Sequence, residues 1–118
     1  TPPIHVEFTS VPRGLEKFLA QEGYIRTDNR SHAKEFKDFR RKDSDGPSLF
    51  YDAFSCLRNI DVAVLLKIHY NKSNARQLTC AYDLARRLLL RFNATVYDPL
   101  NGIEVTSREY RMSGGGSI

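Results

Sequence analysis

Two carboxylates and a histidine near the middle of the chain are the residues best suited to acid–base chemistry. They are Asp52, Asp61 and His69. A carboxylate can orient an imidazole, which then moves a proton, and a small hydrolase or toxin domain would need such a set. However, His69 lies between two bulky neighbours, Ile68 and Tyr70, near a strand end, a position in which a histidine is more often a structural or a surface residue. We therefore predict no catalytic residues and keep hydrolysis as a third hypothesis.

The cysteines are the next candidates, because a thiolate can act as a nucleophile or a metal ligand. The chain has two, Cys56 and Cys80, and Arg58 is the only cation adjacent to Cys56 in sequence. Neither has a histidine at ligand spacing, and the sequence lacks Cys-x-x-Cys pairs, glycine-rich phosphate loops and His-Glu-x-x-His motifs. We expect reduced, buried thiols in a cytoplasmic protein, with no metal and no cofactor.

The segment 26–42 interleaves cations with aromatic rings. Such segments bind single-stranded nucleic acids, because cations contact phosphates and rings stack on bases. Protein interfaces use the same residue types, since Arg and Tyr dominate many binding energies. The predicted partner-binding residues in and after this segment are Arg26, Arg30, Lys37, Phe39, Arg40, Arg41, Phe50 and Tyr51.

Several observations weaken the nucleic-acid interpretation of this segment. Carboxylates at Asp28, Glu35 and Asp38, and at Asp43 just after the segment, dilute its positive field. An edge strand also carries charges simply to prevent aggregation through its unpaired backbone groups. The whole chain is only mildly basic, with 18 Lys and Arg against 14 Asp and Glu and a net charge of +4. A charge of this size does not identify a polyanionic partner.

Length and composition indicate one folded domain. The chain has 118 residues, of which 41% are hydrophobic and 27% charged, an ordinary globular mixture. The apolar runs are too short to cross a bilayer and no apolar leader opens the sequence, so we expect no membrane partner and no secretory signal. We predict a single domain over residues 1–112 and a flexible Gly/Ser tail over 113–118.

In the first half of the chain, the pattern predicts strands and one short helix. Residues 4–10 alternate apolar and polar side chains, as a half-buried strand does. Residues 13–22 carry a helical apolar stripe and end at Gly23, a good helix terminator. Residues 33–41 fit a strand or a helix almost equally well. We favour a strand there, because the aromatic segment 48–54 that follows the next turn is itself strand-like.

The second half contains the clearest elements. Residues 60–70 form an aliphatic run typical of a central strand. Residues 75–92 form the longest predicted helix, with Asn74 as its N-cap. Strands are predicted at 94–97 and 103–106, joined by the hairpin turn Asp-Pro-Leu-Asn-Gly.

The order β-α-β-β-β-α-β, with a further C-terminal strand as an option, predicts an α+β fold. The expected architecture is a ferredoxin-like two-layer sandwich, in which an antiparallel or mixed sheet carries two helices on one face. An unpaired edge of such a sheet also leaves a homodimer open as an alternative.

Residues 84–102 run through helix, strand and Asp-Pro turn, and they resemble the ending of many small bacterial α+β proteins. Some of those are immunity proteins, which neutralise polymorphic or contact-dependent toxins. The resemblance covers this segment alone and implies a fold more than an activity. Immunity proteins against nucleases are often acidic, whereas this chain is basic. The resemblance therefore implies a toxin with an acidic or neutral site, or contact through a local acidic patch.

These observations support two leading functional hypotheses. The first is a non-enzymatic module that binds another protein, with neutralisation of a toxin as its specific form, because the sequence predicts a complete small core without a recognisable reaction centre. The second is nucleic-acid binding through segment 26–42, which predicts an affinity that depends strongly on salt.

Overall fold

A sheet of seven strands and three helices form the part of the chain that the structure describes. The structure is a computed structural model, and it describes residues 1–27, 34–53, 61–115 and 118. In chain order the elements are β1 (Ile4–Phe8), α1 (Leu15–Gln21), β2 (Tyr24–Arg26), β3 (Phe36–Arg41), β4 (Ser48–Asp52), β5 (Val64–His69), α2 (Ala75–Phe92), β6 (Thr95–Asp98), β7 (Ile103–Thr106) and α3 (Ser107–Met112).

The strands lie in the order β2-β3-β4-β5-β1-β6-β7, and every neighbouring pair is antiparallel. The first strand of the chain therefore lies inside the sheet, between β5 and β6. This placement explains the strict alternation of β1, since both of its edges are hydrogen-bonded and only its faces differ.

One face of the sheet carries the hydrophobic core. Ile4, Val6 and Phe8 of β1 are at most 2% exposed, and every second residue of β5 from Val64 to Ile68 is fully buried. The helices α1 and α2 contribute buried side chains to the same cluster. We call this side of the sheet the core face and the opposite side the outer face.

The helix α2 begins and ends where the sequence predicts. The Asn74 side chain accepts a hydrogen bond from the backbone N–H of Gln77 at 3.2 Å, which supplies one of the missing partners of the first turn. At the other end Asn93 adopts a φ of 54°, a left-handed conformation that stops the helix. The buried stripe of α2 is Ala81, Leu84, Ala85, Leu88 and Leu89.

The structure confirms an α+β class and an antiparallel sheet, but the sheet is larger than predicted. Four strands separate α1 from α2 instead of three, because Tyr24–Arg26 pairs with β3. The strand favoured within residues 33–41 is confirmed as β3. The sequence missed α3, whose N-cap Thr106 accepts a hydrogen bond from the Glu109 N–H at 3.1 Å. The ferredoxin-like arrangement stays a prediction.

The predictions for the cysteines, for the end of strand 48–54 and for the C-terminal tail have different outcomes. Cys56 and the end of the predicted strand 48–54 lie outside the described residues. Cys80 is a free thiol, as expected, but it is partly exposed, so the expectation that it is buried is met only in part. In the predicted flexible tail, the Ile118 carbonyl accepts hydrogen bonds from the Arg86 guanidinium at 3.1 and 3.3 Å.

Candidate functional site

The outer face of the sheet is the candidate functional surface, because it presents polar and aromatic side chains away from the core. Strand register aligns its residues in rows that run across the strands. The row from β3 to β7 consists of Asp38, Phe50, Lys67, His5, Tyr97 and Glu104. We call it the central row.

Aromatic rings in and beside the central row contact one another. Phe50 stacks on Phe36, with ring centroids 6.0 Å apart and planes inclined by 21°. His5 meets Tyr97 edge to face at 5.8 Å, and Tyr97 remains 36% exposed. Rings that pack on each other while staying partly exposed lose little entropy when a partner covers them. They are suited to act as anchors in an interface.

The charges of the outer face are mixed in sign. Burial lowers the pKa of His5 and of His69, and the nearby charge of Lys67 lowers both further. Both imidazoles are therefore neutral near pH 7, and Lys67 carries the positive charge of the central row. Burial also raises the pKa of Glu7, on β1, and the carboxylate of Glu104 raises it further.

A cavity of about 440 Å³ lies at one side of the outer face, next to β1, β6 and β7. Its carboxylates are Glu7, Asp61, Glu104 and Glu109, and threonines provide most of the remaining wall. We call it the acidic cavity. In the described ranges, no three His, Cys, Asp or Glu side chains are placed to hold a metal ion. The cavity concentrates negative charge in one region of a chain that is basic overall.

A cleft of about 350 Å³ lies at another end of the outer face, where the β3–β4 hairpin meets the start of α2. Arg40, Ser48 and His69 line it from three neighbouring strands. Ser48 pairs directly with His69. Because Phe39 pairs with Leu49, the register places Arg40 beside Ser48. We call this site the hairpin cleft.

The predicted partner-binding residues do not share one surface. Arg40 and Phe50 lie on the outer face, and Arg30 lies outside the described residues. The core face carries the others, which are Arg26, Lys37, Phe39, Arg41 and Tyr51. The split follows from the two-residue period of a strand, which sends neighbours such as Arg40 and Arg41 to opposite faces.

Most of the core-face residues of this set are engaged by the fold itself. Phe39 and Tyr51 are only 2% and 7% exposed. Lys37 Nζ lies 2.8 Å from the Glu16 carboxylate and 4.8 Å from the centroid of the Tyr51 ring. The Arg26 guanidinium lies 3.6 Å from the same carboxylate. These contacts tie α1 to the sheet and leave little of the set for a partner.

Arg41 belongs to a polar cluster between β3 and α2. Its guanidinium donates hydrogen bonds to Asp43 at 2.8 and 2.6 Å and a longer one to Cys80 Sγ at 3.5 Å. Burial raises the pKa of the neighbouring Tyr24 to about 12, against the opposing effect of the Arg41 charge. The side chain also fills the space over Gly46, where an added Cβ would lie 2.6 Å from it. The charge of Arg41 is thus balanced within the hairpin.

The predicted acid–base set is not assembled. Asp52 pairs with Leu65, whereas His69 pairs with Ser48, so Asp52 and His69 lie roughly 13 Å apart along the strands. Asp61 precedes β5 and lines the acidic cavity. The geometry brings neither carboxylate of this set to the imidazole.

A closed polar network lies at the turn between β6 and β7. Asp98 is 2% exposed and accepts hydrogen bonds from the Tyr82 hydroxyl at 2.6 Å, the Asn101 amide at 2.8 Å and the Leu100 N–H at 3.1 Å. Burial raises the pKa of Tyr82, and its hydrogen bond to Asp98 raises it further. The network anchors the Asp-Pro turn to α2, which gives this part of residues 84–102 a structural role.

Of the six residues in the central row, only Phe50 is among the predicted partner-binding residues. The five that sequence reasoning missed are Asp38, Lys67, His5, Tyr97 and Glu104. The usable signal was the alternation within each predicted strand, since the polar positions of a strand face away from the core. That signal selects a face within one strand, but strand order is needed to join the faces of distant strands into one row.

In the part of the chain that the structure describes, no helix is both long and apolar enough to cross a membrane. Searches for similar proteins found no match among protein-family models, curated proteins or solved structures. The resemblance to immunity proteins therefore rests on residues 84–102 alone.

Proposed function

We propose that the chain is a non-enzymatic protein-binding module whose contact surface is the outer face of the sheet. The observation that carries the proposal is the composition of the central row. Partly exposed rings, a cation and carboxylates stand side by side within it. Protein interfaces combine aromatic anchors with a polar, charged surround in this way.

The sign of the charges favours a protein over a nucleic acid. Glu7, Asp38 and Glu104 lie in or beside the central row, next to the rings on which bases would have to stack. A phosphate backbone that followed those rings would approach these carboxylates and be repelled. A protein partner can instead present basic groups to the carboxylates and acidic groups to Lys67.

The specific form that we propose is neutralisation of a toxin domain. The resemblance of residues 84–102 supports it, and the acidic cavity is the kind of local acidic patch that such a resemblance implies for a basic chain. In this form the toxin places basic side chains over Glu7 and Glu104. The outer face of this chain then covers the toxin's functional surface. The proposed cytoplasmic location and ferredoxin-like architecture rest on the sequence alone.

Site-directed photo-crosslinking tests the contact surface. The photoreactive residue p-benzoylphenylalanine replaces Tyr97 on the outer face or, as the control, Thr79 on the exposed side of α2. Each variant is irradiated in lysate of the source organism, with and without prior nuclease treatment. A protein crosslinked from position 97 is then purified, and its affinity is measured for the unmodified chain.

The expected result is a protein crosslink from position 97 and none from position 79. Affinity for the purified partner should then fall about tenfold or more in Lys67→Glu, because a charge in the central row is reversed. Arg108→Glu, a matched reversal on α3, should leave affinity within about twofold. Crosslinking from position 79 alone, crosslinks that disappear with nuclease, failure to crosslink any protein, or equal effects of the two reversals would each overturn the proposal.

A further inference from the structure

We infer that the hairpin cleft is a binding site for a carboxylate group. The inference rests on the proposed function, because it assigns the group to an acidic residue or chain terminus of the protein partner. It adds the chemistry of one contact at the end of the outer face.

The walls of the hairpin cleft are held in place by one side chain of α2. The Gln77 amide donates to the carbonyls of Ser44 and Gly46 at 3.3 Å each, and its oxygen accepts from the Asn71 N–H at 2.6 Å. Gln77 thus joins the β3–β4 turn, the end of β5 and the first turn of α2. A cleft fixed from three sides is preformed and need not be ordered when a ligand enters.

The cleft contains two arginines but only one of them is neutralised. Both oxygens of the Asp43 carboxylate accept from Arg41. Within the described residues, Arg40 forms no ion pair within 4.0 Å, and its side chain is exposed at the mouth of the cleft. The guanidinium of Arg40 therefore provides a positive charge and a planar set of donors without a local acceptor.

The neighbours of Arg40 extend this set with neutral donors. Ser48 supplies a hydroxyl and His69 an imidazole N–H, and the two residues are directly paired. The lowered pKa of His69 keeps its ring neutral at pH 7, so it adds a donor without a second charge. One guanidinium balances one negative charge, which matches a carboxylate better than a phosphate dianion.

Titration by NMR tests the site in the chain alone. The probes are two capped tripeptides, one whose only charge is an Asp side chain and one whose only charge is the terminal carboxylate, with inorganic phosphate as the competing anion. Backbone amide shifts are followed at pH 7.5 and constant ionic strength. The variants are Arg40→Gln and Arg108→Gln, which removes the same charge from α3.

The expected result is saturable shifts at Ser48, His69 and their neighbours with at least one peptide. Arg40→Gln should weaken that binding about tenfold or more, and Arg108→Gln should not change it beyond about twofold. The peptide that binds more tightly identifies the source of the carboxylate. Shifts that survive Arg40→Gln, that fail to saturate, or that are stronger with phosphate than with either peptide would overturn the inference.

This experiment is independent of the crosslinking test. If the cleft fails to bind either peptide while position 97 still crosslinks to a protein, the carboxylate site is wrong and the module stands. If both fail, the proposed function falls with it.

Discussion

The closed network around Asp98 and the hairpin cleft around Arg40 are both polar clusters at the end of a β-hairpin, yet they differ in how their charges are matched. The Asp98 carboxylate receives three hydrogen bonds inside the fold and is 2% exposed. Arg40 is exposed and has no ion pair among the described residues. A polar group matched internally stabilises the fold, whereas one left unmatched at a surface is available to a partner.

The same distinction separates Arg41 from Arg40, although the two are adjacent in sequence. Arg41 is held by Asp43 and Cys80 on the core face, and Arg40 points to the outer face. We call a polar cluster closed when its charges are matched inside the fold and open when a charge is left unmatched at the surface. We predict that substitutions in closed clusters change stability and that substitutions in open clusters change binding.

The largest expected effect is the loss of the closed network in Asp98→Ala. The Tyr82 hydroxyl, the Asn101 amide and the Leu100 N–H all lose the buried carboxylate to which they donate. We expect the free energy of unfolding to fall by about 3 kcal/mol. Urea denaturation followed by circular dichroism measures it.

Asp83→Ala is the matched control for this variant, because Asp83 is exposed and its one ion pair among the described residues is with Arg86 on the same helix. That change should cost less than about 0.5 kcal/mol. A loss of similar size in both variants would mean that the Asp98 network contributes no more to stability than a surface ion pair. The internal matching of its charges would then not stabilise the fold.

The next effect distinguishes the two adjacent arginines. Arg41→Glu places a carboxylate against Asp43 and removes the bond to Cys80, so we expect the free energy of unfolding to fall by about 2 kcal/mol. Arg40→Glu should change it by less than about 0.5 kcal/mol. In the proposed complex, however, Arg40→Glu should weaken binding about tenfold.

Urea denaturation and titration calorimetry against the partner identified by crosslinking measure the two quantities. Arg40→Glu should keep its stability and lose affinity. If its dissociation constant stays unchanged while Arg41→Glu behaves as expected, the hairpin cleft is not part of the interface.

A smaller effect is expected at Gly46, in the turn that carries the cleft. An added Cβ would lie 2.6 Å from the Cβ and Cδ atoms of Arg41, closer than such atoms can approach. Gly46→Ala should therefore push Arg41 away from Asp43 and lower the free energy of unfolding by about 1 kcal/mol. The midpoint of thermal denaturation measures this loss. Gly102→Ala is not a suitable control, because the φ of 65° at Gly102 would add a separate strain. An unchanged midpoint would show that the hairpin adjusts freely.

The sequence predicted the elements of both regions but not their difference. Asn74, Asn93 and the Asp-Pro turn are local signals, and each marks a helix or strand boundary that the structure confirms. The matching of charges is not local, because Asp98 meets Tyr82 across 16 residues and Arg41 meets Cys80 across 39. Such contacts depend on strand order, which periodicity within one strand does not specify.

The same limit explains the grouping of Arg40 with Arg41 as one predicted surface. Residues adjacent in a strand point to opposite faces of the sheet, whereas residues adjacent in a helix lie closer to one face. The pattern of residues 33–41 fits a helix almost as well as a strand, so it does not by itself separate Arg40 from Arg41. Conversely, His5 and Tyr97 are far apart in sequence, and no local pattern relates them. Register places them side by side in the central row.

The smallest expected effect concerns Glu7, which lies in the acidic cavity among other carboxylates. The native fold raises the pKa of Glu7 through burial and the nearby Glu104 carboxylate. A raised pKa means that the folded state binds the proton more tightly than the unfolded state, so this group favours folding at low pH and opposes it as pH rises through the raised value. Glu7→Gln should therefore raise the urea midpoint at pH 7 slightly.

The gain should disappear below the ordinary pKa of a glutamate, where Glu7 is protonated in both states. Glu35→Gln, which removes an exposed charge from the edge of β3, controls for the change in net charge. A gain at pH 7 that vanishes near pH 3.5 for Glu7→Gln alone would mean that the outer face keeps its carboxylates at a cost to stability. A loss of stability in Glu7→Gln at pH 7 would mean that the Glu7 carboxylate stabilises the fold, as the Asp98 carboxylate does. The acidic cavity would then have a structural role.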